Sequence, residues 1–362
     1  MNTPLYPWLH EEFARFQSLR QQGRVPHALL LSGEPGLGQH QLAMRLAQAS
    51  LCLQPLADGQ ACGHCASCRP FLAGAHPDFS LLEPKDKDEK DGAAGDKSEE
   101  GKSQENKNRE SKGKDSKARD IKVDAVRDFC ASLYLSSAMR RGRVGIIDPA
   151  DAMNTAAANS LLKTLEEPPA GTLMILVTSH PARLPITIRS RCQRWQVPLA
   201  ERRAALDWLA QQPQLAGEDP ARLLDLAEGR PLLALELAEP ERLAERKRWL
   251  ESLLHLLRSG GNPLAVAAAQ DKNSWPMLLH WSRLLLVDLI RLHFAAPNQA
   301  GLNLVNRDFA DVLAPLARRL HTRSLFALYD EALEASRLIN HTLNKELLIE
   351  EHLLRFQSLG KY

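Results

Sequence analysis

Ala28-Leu-Leu-Leu-Ser-Gly-Glu-Pro-Gly-Leu-Gly-Gln-His40 is the stretch that decides the fold. Its apolar first half suits a strand buried in a parallel sheet, and its glycines mark a tight turn directly after that strand. Gln39–Leu51 follows with apolar residues at helical spacing. A strand, a glycine-rich turn and a helix in immediate succession predict the first β–α unit of an α/β domain.

The glycine-rich turn has the frame of a phosphate-binding P-loop but lacks its reactive side chains. Gly33 and Gly38 match the two glycines of G-x-x-x-x-G-K-[ST], and Gly36 lies between them. In a working P-loop the lysine contacts the β- and γ-phosphates and the hydroxyl binds Mg²⁺. Here Gln39 carries no charge, and the imidazole of His40 is a poor ligand for a hard cation. The turn predicts a degenerate nucleotide site, although backbone amides could still bind a phosphate; a chance glycine turn in an unrelated fold is the alternative.

Further strand and helix signals alternate along the first half of the chain. Additional buried strands are predicted at Asp78–Leu82, Val144–Ile147, Leu173–Val177 and near Arg194–Val197. Helices are predicted around Val123–Leu133 and at Asn154–Glu167, the second ended by two prolines. Strands that alternate with helices indicate a doubly wound parallel sheet.

A second element of the nucleotide site, the Walker B strand, also lacks a residue needed for ATP hydrolysis. Val144-Gly-Ile-Ile-Asp148 has the form of a Walker B strand, which ends in an acidic residue. Related ATPases carry a catalytic glutamate at the next position, where this chain has Pro149. The lysine, the hydroxyl and this glutamate are all missing, so the sequence predicts a nucleotide-binding fold that does not hydrolyse ATP.

Four cysteines follow the predicted P-loop helix. Cys52, Cys62, Cys65 and Cys68 have the spacing C-x9-C-x2-C-x2-C, and four thiolates satisfy tetrahedral Zn²⁺ without an open position. We therefore expect a structural zinc module at residues 52–68. A redox pair at Cys62 and Cys65, or His64 in place of one thiolate, are the alternatives. Cys130 lies on an apolar helical stripe and is expected in the core.

The chain divides into three parts by pattern. Residues 1–198 read as the α/β domain, 199–240 as a small helical module, and 241–362 as a larger helical domain. The segment from Lys85 to about Lys122 is rich in Lys, Asp, Glu, Gly and Ser, with almost no apolar residue until Ile121, so it buries too little surface to fold and is expected to form a disordered insertion. A tether for a partner or nucleic acid is the alternative.

Composition narrows the class of protein. The 362 residues are 44% hydrophobic and 25% charged, with a net charge of +2, as in a globular protein without the basic excess of a chain that grips DNA alone. No apolar run is long enough for a membrane span, and no signal peptide is evident. We expect a cytoplasmic location, where six cysteines indicate metal binding or catalysis rather than disulfides.

Ser190-Arg191-Cys192 follows the fourth predicted strand. By itself this tripeptide is typical of a surface arginine beside a small buried cysteine. In a P-loop-like domain, however, an arginine delivered in trans can stabilise the charge that develops during phosphoryl transfer in a neighbouring subunit. Arg191 is therefore a candidate arginine finger, with Ser190 and Cys192 as its motif.

Together these residues resemble the clamp-loader branch of the AAA+ ATPases. The resemblance rests on the P-loop, the four cysteines, Ser190-Arg191-Cys192 and four further segments: Pro7-Trp8, Pro26-His27-Ala28-Leu29-Leu30, Asn159-Ser-Leu-Leu-Lys-Thr-Leu-Glu-Glu-Pro-Pro169 and Asn340–Leu354. It covers nearly the whole chain. The insertion at 85–122 departs from the family, in which this connection is short.

The resemblance implies a function. Such a subunit works in a ring with delta and gamma/tau subunits that opens the sliding clamp and places it on primer-template DNA. By the same resemblance, residues 199–240 would form a small helical lid domain and residues 241–362 the collar domain that joins the subunits. The altered P-loop resembles the family's non-catalytic member, so the chain would be no enzyme by itself but a component of the DNA polymerase III holoenzyme, a DNA-directed DNA polymerase, at the nucleoid-associated replisome. Arg191 would reach the ATP of the adjacent subunit. Arg230, which stands where active relatives carry a nucleotide sensor, would have no catalytic role.

Two other functions compete with this one. The first is an active ATPase of the gamma/tau type or a recombination-associated ATPase, which would bind ATP tightly with Mg²⁺. The second is a zinc-based DNA-binding module, which the short, weakly basic cysteine loop disfavours.

Overall fold

A computed structural model describes residues 4–84, 120–215, 217–296, 302–339 and 344–360. The chain divides into two compact units, Met1–Leu199 and Ala200–Tyr362. In the described part of the chain, no helix has the length and hydropathy needed to cross a membrane.

The N-terminal unit is built on a parallel sheet. Its strands are β1 (Ala28–Ser32), β2 (Phe79–Leu82), β3 (Arg143–Ile147), β4 (Thr172–Thr178) and β5 (Gln193–Gln196), in the order β2-β3-β4-β1-β5. All four strand pairs are parallel. The central strands β3 and β4 are buried along their whole length, which explains their continuous apolar sequences because both faces of the sheet are covered. The predicted doubly wound α/β fold of the AAA+ type is confirmed.

Helices connect the strands of this unit. They are α1 (His10–Gln21), α2 (Gln39–Leu51), α3 (Cys68–Leu72), α4 (Val123–Tyr134), α5 (Thr155–Glu166) and α6 (Ile186–Arg189). The predicted helix at Gln39–Leu51 has these bounds in the structure. In α5 the side chain of Asn154 accepts the N–H of Ala157 at 2.9 Å, an N-cap that fixes where the helix begins.

One end of the predicted insertion is ordered. Residues 85–119 lie outside the described part of the chain, but Ile121 is only 2% exposed and packs in the core. Its N–H donates to the carbonyl of Ala152 at 2.9 Å, and it pairs with Met153 in an isolated bridge. The prediction of a solvated segment through residue 122 is therefore wrong for Ile121, whose apolar side chain finds a place beside the sheet.

The C-terminal unit is helical throughout its described residues. Its helices are α7 (Arg202–Leu209), α8 (Pro220–Leu226), α9 (Pro231–Leu237), α10 (Pro240–Ser259), α11 (Pro263–Ala268), α12 (Trp275–Phe294), α13 (Ala310–Ala317), α14 (Thr322–Leu338) and α15 (Lys345–Leu359). Residues 340–343 of the predicted collar motif lie outside the described part. One apolar cluster runs from Ala205 to Leu359, so helices on both sides of residue 240 share a core, and the boundary between lid and collar stays a prediction.

Candidate metal centre, phosphate loop and exposed arginine

The four cysteine sulfurs form a compact cluster. The Sγ atoms of Cys52, Cys62, Cys65 and Cys68 all lie within 4.8 Å of one another, and three of the separations are 3.8, 4.0 and 4.0 Å. Zinc–thiolate bonds of about 2.3 Å in a tetrahedron place the sulfurs about 3.8 Å apart. A disulfide needs about 2.05 Å, and all six cysteines of the chain are free thiols. The donor set of four grouped sulfurs therefore fits a structural zinc ion.

Local backbone geometry points the sulfurs inward. Cys52 directly follows α2, and Cys68 begins α3. The turn between them places the N–H of Cys62, Cys65 and Cys68 each 3.4 Å from the Sγ of the preceding cysteine of the cluster. Such N–H donors stabilise thiolates. Burial raises the pKa of the thiols of Cys52 and Cys68, so a metal that binds here competes with protons.

The other residues considered for metal binding lie outside the cluster. His64 is exposed, and its Nδ1 is 2.8 Å from the carbonyl oxygen of Cys62, which makes the ring an outer neighbour of the four sulfurs. Cys130 is 8% exposed and packs in the core of the N-terminal unit. Both placements agree with the sequence-based prediction.

The glycine-rich turn predicted as a P-loop packs against the segment before α1. Gly38 has φ +86°, and a Cβ at this residue would meet the ring of Tyr6 at 2.6 Å, so glycine is required for both reasons. The indole Nε1 of Trp8 donates to the carbonyl of Leu37 at 2.8 Å, and the rings of Tyr6 and Trp8 stack with centroids 5.0 Å apart. The Pro7-Trp8 motif thus packs against the loop.

Gln39 is turned back onto the loop. Its Nε2 donates to the carbonyl of Glu34 at 2.6 Å and would lie 2.8 Å from a Cβ on Gly33. The side chain is 7% exposed. The residue at the lysine position of the P-loop motif is therefore a buried amide that bonds to the loop itself.

His40 and Asp148 form a direct pair. Nδ1 of His40 lies 2.7 Å from Oδ2 of Asp148, with side-chain exposures of 50% and 16%. This hydrogen bond is the main reason why the pKa of His40 is raised above its ordinary value. The hydroxyl position and the Walker B acid would together serve Mg²⁺ in a working ATPase, whereas here an imidazole contacts the carboxylate. Pro149 follows directly.

Arg191 is partly exposed and is held by its own chain. Its Nη1 donates to the carbonyl of Thr187 at 3.0 Å, and its Nη2 lies 2.6 Å from Oε1 of Glu166, with side-chain exposures of 35% and 50%. Ser190 is exposed and donates to the same carbonyl at 3.1 Å. Cys192 is 7% exposed, and burial raises the pKa of its thiol to about 12. The sequence did not identify Glu166, because nothing distinguishes it there from Glu167.

The P-loop and Arg191 lie at opposite edges of the sheet, one edge being formed by the carboxyl ends of the parallel strands and the other by their amino ends. Gly33 follows the carboxyl end of β1, whereas Arg191 precedes the amino end of β5. These strands are parallel, with Leu29 opposite Gln193. Since β1 has five residues and a strand rises about 3.3 Å per residue, the two edges are roughly 16 Å apart. Arg191 is thus too far from its own P-loop to contact a phosphate there.

Arg230 is tied back within the C-terminal unit. Its Nε donates to the carbonyl of Ala227 at 2.8 Å, and its Nη2 lies 3.3 Å from Oε2 of Glu228, with 12% of the arginine side chain exposed. The same carboxylate also pairs with Arg283. The arginine at the sensor position therefore belongs to a local charge cluster.

A P-loop-type α/β unit with a four-cysteine insert, followed by a helical unit, defines a subunit of the AAA+ class. The chain belongs to the DNA polymerase III delta′ family. Residues 9–200 match the family model described as DNA polymerase III, delta subunit, and residues 240–358 match the model described as DNA polymerase III, delta subunit, C terminal.

Curated relatives agree with this assignment. The chain is 32% identical to DNA polymerase III subunit delta′ of Escherichia coli K12 over 97% of this chain and 95% of that protein. It is 31% identical to the same subunit of Pseudomonas aeruginosa over 98% of both chains. DNA polymerase III subunit tau of Salmonella typhimurium is 29% identical over 48% of this chain and 22% of its own length.

Solved structures resemble the chain more distantly. They include a DNA polymerase III gamma subunit-related protein of Thermotoga maritima, with 16% identity, a TM-score of 0.38 and coverage of 95% of this chain and 99% of that chain. The Bacillus subtilis DNA clamp loader delta protein has 10% identity, a TM-score of 0.32 and coverage of 96% and 99%. The family assignment rests on the sequence relatives.

Proposed function

We propose that the chain is a non-catalytic ring subunit of the DNA polymerase III clamp loader. In this proposal it supports ATP-dependent loading of the sliding clamp onto primed DNA and supplies Arg191 in trans to the ATP of the neighbouring subunit. Its partners are gamma/tau and delta subunits, and it reaches clamp and DNA through the assembled ring at the replisome. Three domains, with boundaries near residues 198 and 240, remain part of the proposal.

The placement of Arg191 is the observation that carries this proposal. A guanidinium that is partly exposed at the edge of the sheet away from its own P-loop can act only on a phosphate brought by another molecule. The P-loop turn supports the same non-catalytic role. Gln39, at the lysine position, is bonded inside the loop, and His40, at the hydroxyl position, contacts Asp148. An active ATPase would need a lysine at position 39 to contact phosphate and a hydroxyl at position 40 to bind Mg²⁺.

The cysteine cluster has a structural role in this proposal. A zinc ion with four protein thiolates has no position left for a substrate. The ion would tie the end of α2 to the start of α3, and Cys52, Cys62, Cys65 and Cys68 would supply its ligands.

Clamp- and DNA-stimulated ATP hydrolysis by a loader reconstituted with the Arg191→Ala chain tests the proposal. Removal of an arginine finger costs about 10³–10⁵ in rate at the site it serves, so total hydrolysis should fall by at least that site's share. Arg194→Ala is the matched control, because Arg194 is an exposed arginine on the neighbouring strand β5. Gel filtration checks that each ring assembles.

Two results would contradict the proposal. Unchanged hydrolysis by an assembled Arg191→Ala ring would show that Arg191 is not an arginine finger and would leave the chain only a scaffolding role. Tight, Mg²⁺-dependent ATP binding by the chain alone, measured by calorimetry, would instead favour the active-ATPase alternative.

A further inference from the structure

We infer that Glu166 is a positioning residue for Arg191 and fixes the guanidinium in the orientation in which it meets the neighbour's phosphate. The inference rests on the proposed function of Arg191 and adds the group that orients it. Glu166 itself touches no phosphate in this reading; it acts through the 2.6 Å contact between its Oε1 and Nη2 of the arginine.

The guanidinium is anchored at two of its three nitrogens by groups of its own chain. Besides Glu166, the carbonyl of Thr187 accepts from Nη1 at 3.0 Å. Arginine has five N–H donors in a fixed planar fork, and these two contacts take only two of them. With 35% of the side chain exposed, the arginine is fixed in direction and still open to a ligand.

The two anchors come from different elements of the N-terminal unit. Thr187 lies in the short helix α6 beside the Ser190-Arg191-Cys192 motif, whereas Glu166 is the last residue of α5. Leu161 and Leu165 of α5 are buried beside Ile188 of α6 in one core cluster. The orientation of the arginine is therefore tied to the packed body of the domain and not to a loop alone.

The position of the pair at a helix end supports this reading. The carboxyl end of α5 carries partial negative charge from its unpaired carbonyls, which favours a cation nearby. Asn154 caps the opposite end of the same helix, a short distance along the chain after Asp148 and Pro149. One helix thus runs from the Walker B edge to the arginine edge and holds the carboxylate in place.

Preorganisation explains why such an anchor helps catalysis in trans. A long arginine side chain loses rotamer freedom when it meets a phosphate, and a group already held in place loses less. Electrostatic stabilisation of a developing charge is most effective when the donor needs no reorganisation. Misplacement by about 1 Å can cost 10²-fold in rate.

The experiment compares Glu166→Ala, Glu166→Gln and Arg191→Ala in the full chain within the reconstituted loader. Glu166→Ala should remove about nine-tenths of the hydrolysis that depends on Arg191, by lowering kcat with the KM for ATP unchanged. Glu166→Gln keeps an oxygen acceptor and should recover at least half of that loss. Glu167→Ala, which removes the adjacent exposed carboxylate, should behave as the unaltered chain.

A double variant separates positioning from a general structural effect. In the Arg191→Ala background, Glu166→Ala should lower hydrolysis no further, because its effect passes through the arginine. A further fall, or a rise in the KM for ATP, would overturn the inference. So would a Glu166→Ala ring that hydrolyses ATP at the original rate or faster, since the carboxylate would then be irrelevant to the arginine or would restrain it.

The outcomes also distinguish this inference from the proposed function. Loss of activity with Arg191→Ala but not with Glu166→Ala rejects the positioning residue and leaves the finger. No loss of activity with Arg191→Ala rejects the arginine-finger role of Arg191, and the positioning role of Glu166 is then rejected as well. If the Glu166→Ala chain fails to assemble, the Glu166→Gln chain decides. A kcat equal to that of Arg191→Ala overturns the inference, whereas a kcat that recovers at least half of the loss supports it.

Discussion

Asp78→Asn measures what one buried carboxylate contributes to the N-terminal unit. Oδ1 of Asp78 accepts the N–H of Ala138 at 2.7 Å, and Oδ2 accepts the N–H of Met139 at 2.8 Å and the hydroxyl of Ser137 at 2.9 Å. Nη2 of Arg143 lies 3.6 Å from Oδ1, and the aspartate side chain is 0% exposed. Asp78 directly precedes β2, so these contacts fasten an edge strand to the loop that enters β3.

The magnitude follows from the geometry of the amide. Asparagine has the shape of aspartate, but one of its terminal atoms is an NH₂ group. In one orientation this group faces the N–H of Ala138, and in the other it faces the N–H of Met139. A lost hydrogen bond to a charged acceptor costs about 1.5–3 kcal/mol and a buried unsatisfied N–H about 1–3 kcal/mol. Arg143 keeps three carbonyl acceptors, so we expect a loss of about 3–5 kcal/mol in the free energy of unfolding.

Acidification provides an independent check of the same contacts. Burial acts to raise the pKa of Asp78, but the hydrogen bonds and Arg143 outweigh it, so the pKa lies below its ordinary value. A depressed folded-state pKa gives stability that is complete above the unfolded value of about 4 and is lost as pH falls through the folded-state pKa. The difference between the original chain and Asp78→Asn should therefore shrink in that window.

Denaturant unfolding of the full chain, combined with hydrogen exchange in peptides covering 136–147, measures this effect. The variant should lower the unfolding midpoint and raise exchange in those peptides at pH 7, and both differences should decrease toward pH 3. Asp128→Asn is a matched control, because Asp128 is an exposed carboxylate on α4. A loss below about 1 kcal/mol, or a difference that does not change with pH, would refute the reasoning.

Two further predictions concern the cysteine cluster and the phosphate loop. Cys65→Ser should reduce bound zinc well below one ion per chain and destabilise the N-terminal unit, because a closed site loses one of four ligands; metal analysis measures this, with Cys130→Ala as the control, and full zinc occupancy would contradict it. His40→Ala should remove a stabilising pair whose contribution is complete below the ordinary histidine pKa of about 6.5 and is lost as pH rises through the raised folded-state pKa. The difference in the free energy of unfolding between the original chain and His40→Ala should thus decline as pH rises from 6 to 9, by up to about 1 kcal/mol, as expected of a half-exposed pair. In the Asp148→Asn background that pH dependence should be much smaller, because Asp148 is the main cause of the raised pKa of His40 and Glu83 adds a lesser contribution; an undiminished dependence would contradict the role of Asp148.

Regular elements were predictable because their patterns are local. The helix at Gln39–Leu51 and the strand at β3 follow from spacing and from runs of apolar residues. The cysteine cluster was predictable for a similar reason, since its ligands lie within seventeen positions and only a turn separates them. In these segments the information needed for the structure is contained in neighbouring residues.

Contacts between distant segments were not predictable from one sequence. His40 and Asp148 are 108 positions apart, and the motif comparison identified both residues without showing that they touch. Glu166 became visible only when the sheet brought α5 and α6 together. Ile121 stands at the approximate end of the predicted insertion, and its neighbours in sequence do not show that its side chain is buried; the structure places it in the core of the N-terminal unit.

The contacts made by the residues at positions 39 and 40 of the P-loop turn bear on how readily this subunit can change. Restoring lysine at position 39 would free the carbonyl of Glu34 and place a charge at a side chain that is 7% exposed. Restoring a hydroxyl at position 40 would leave the mostly buried carboxylate of Asp148 without its imidazole. We expect either change alone to lower the stability of the N-terminal unit, because each removes a contact of the loop. In the proposed non-catalytic subunit, the side chains at positions 39 and 40 thus serve the stability of the fold, and stability favours keeping them.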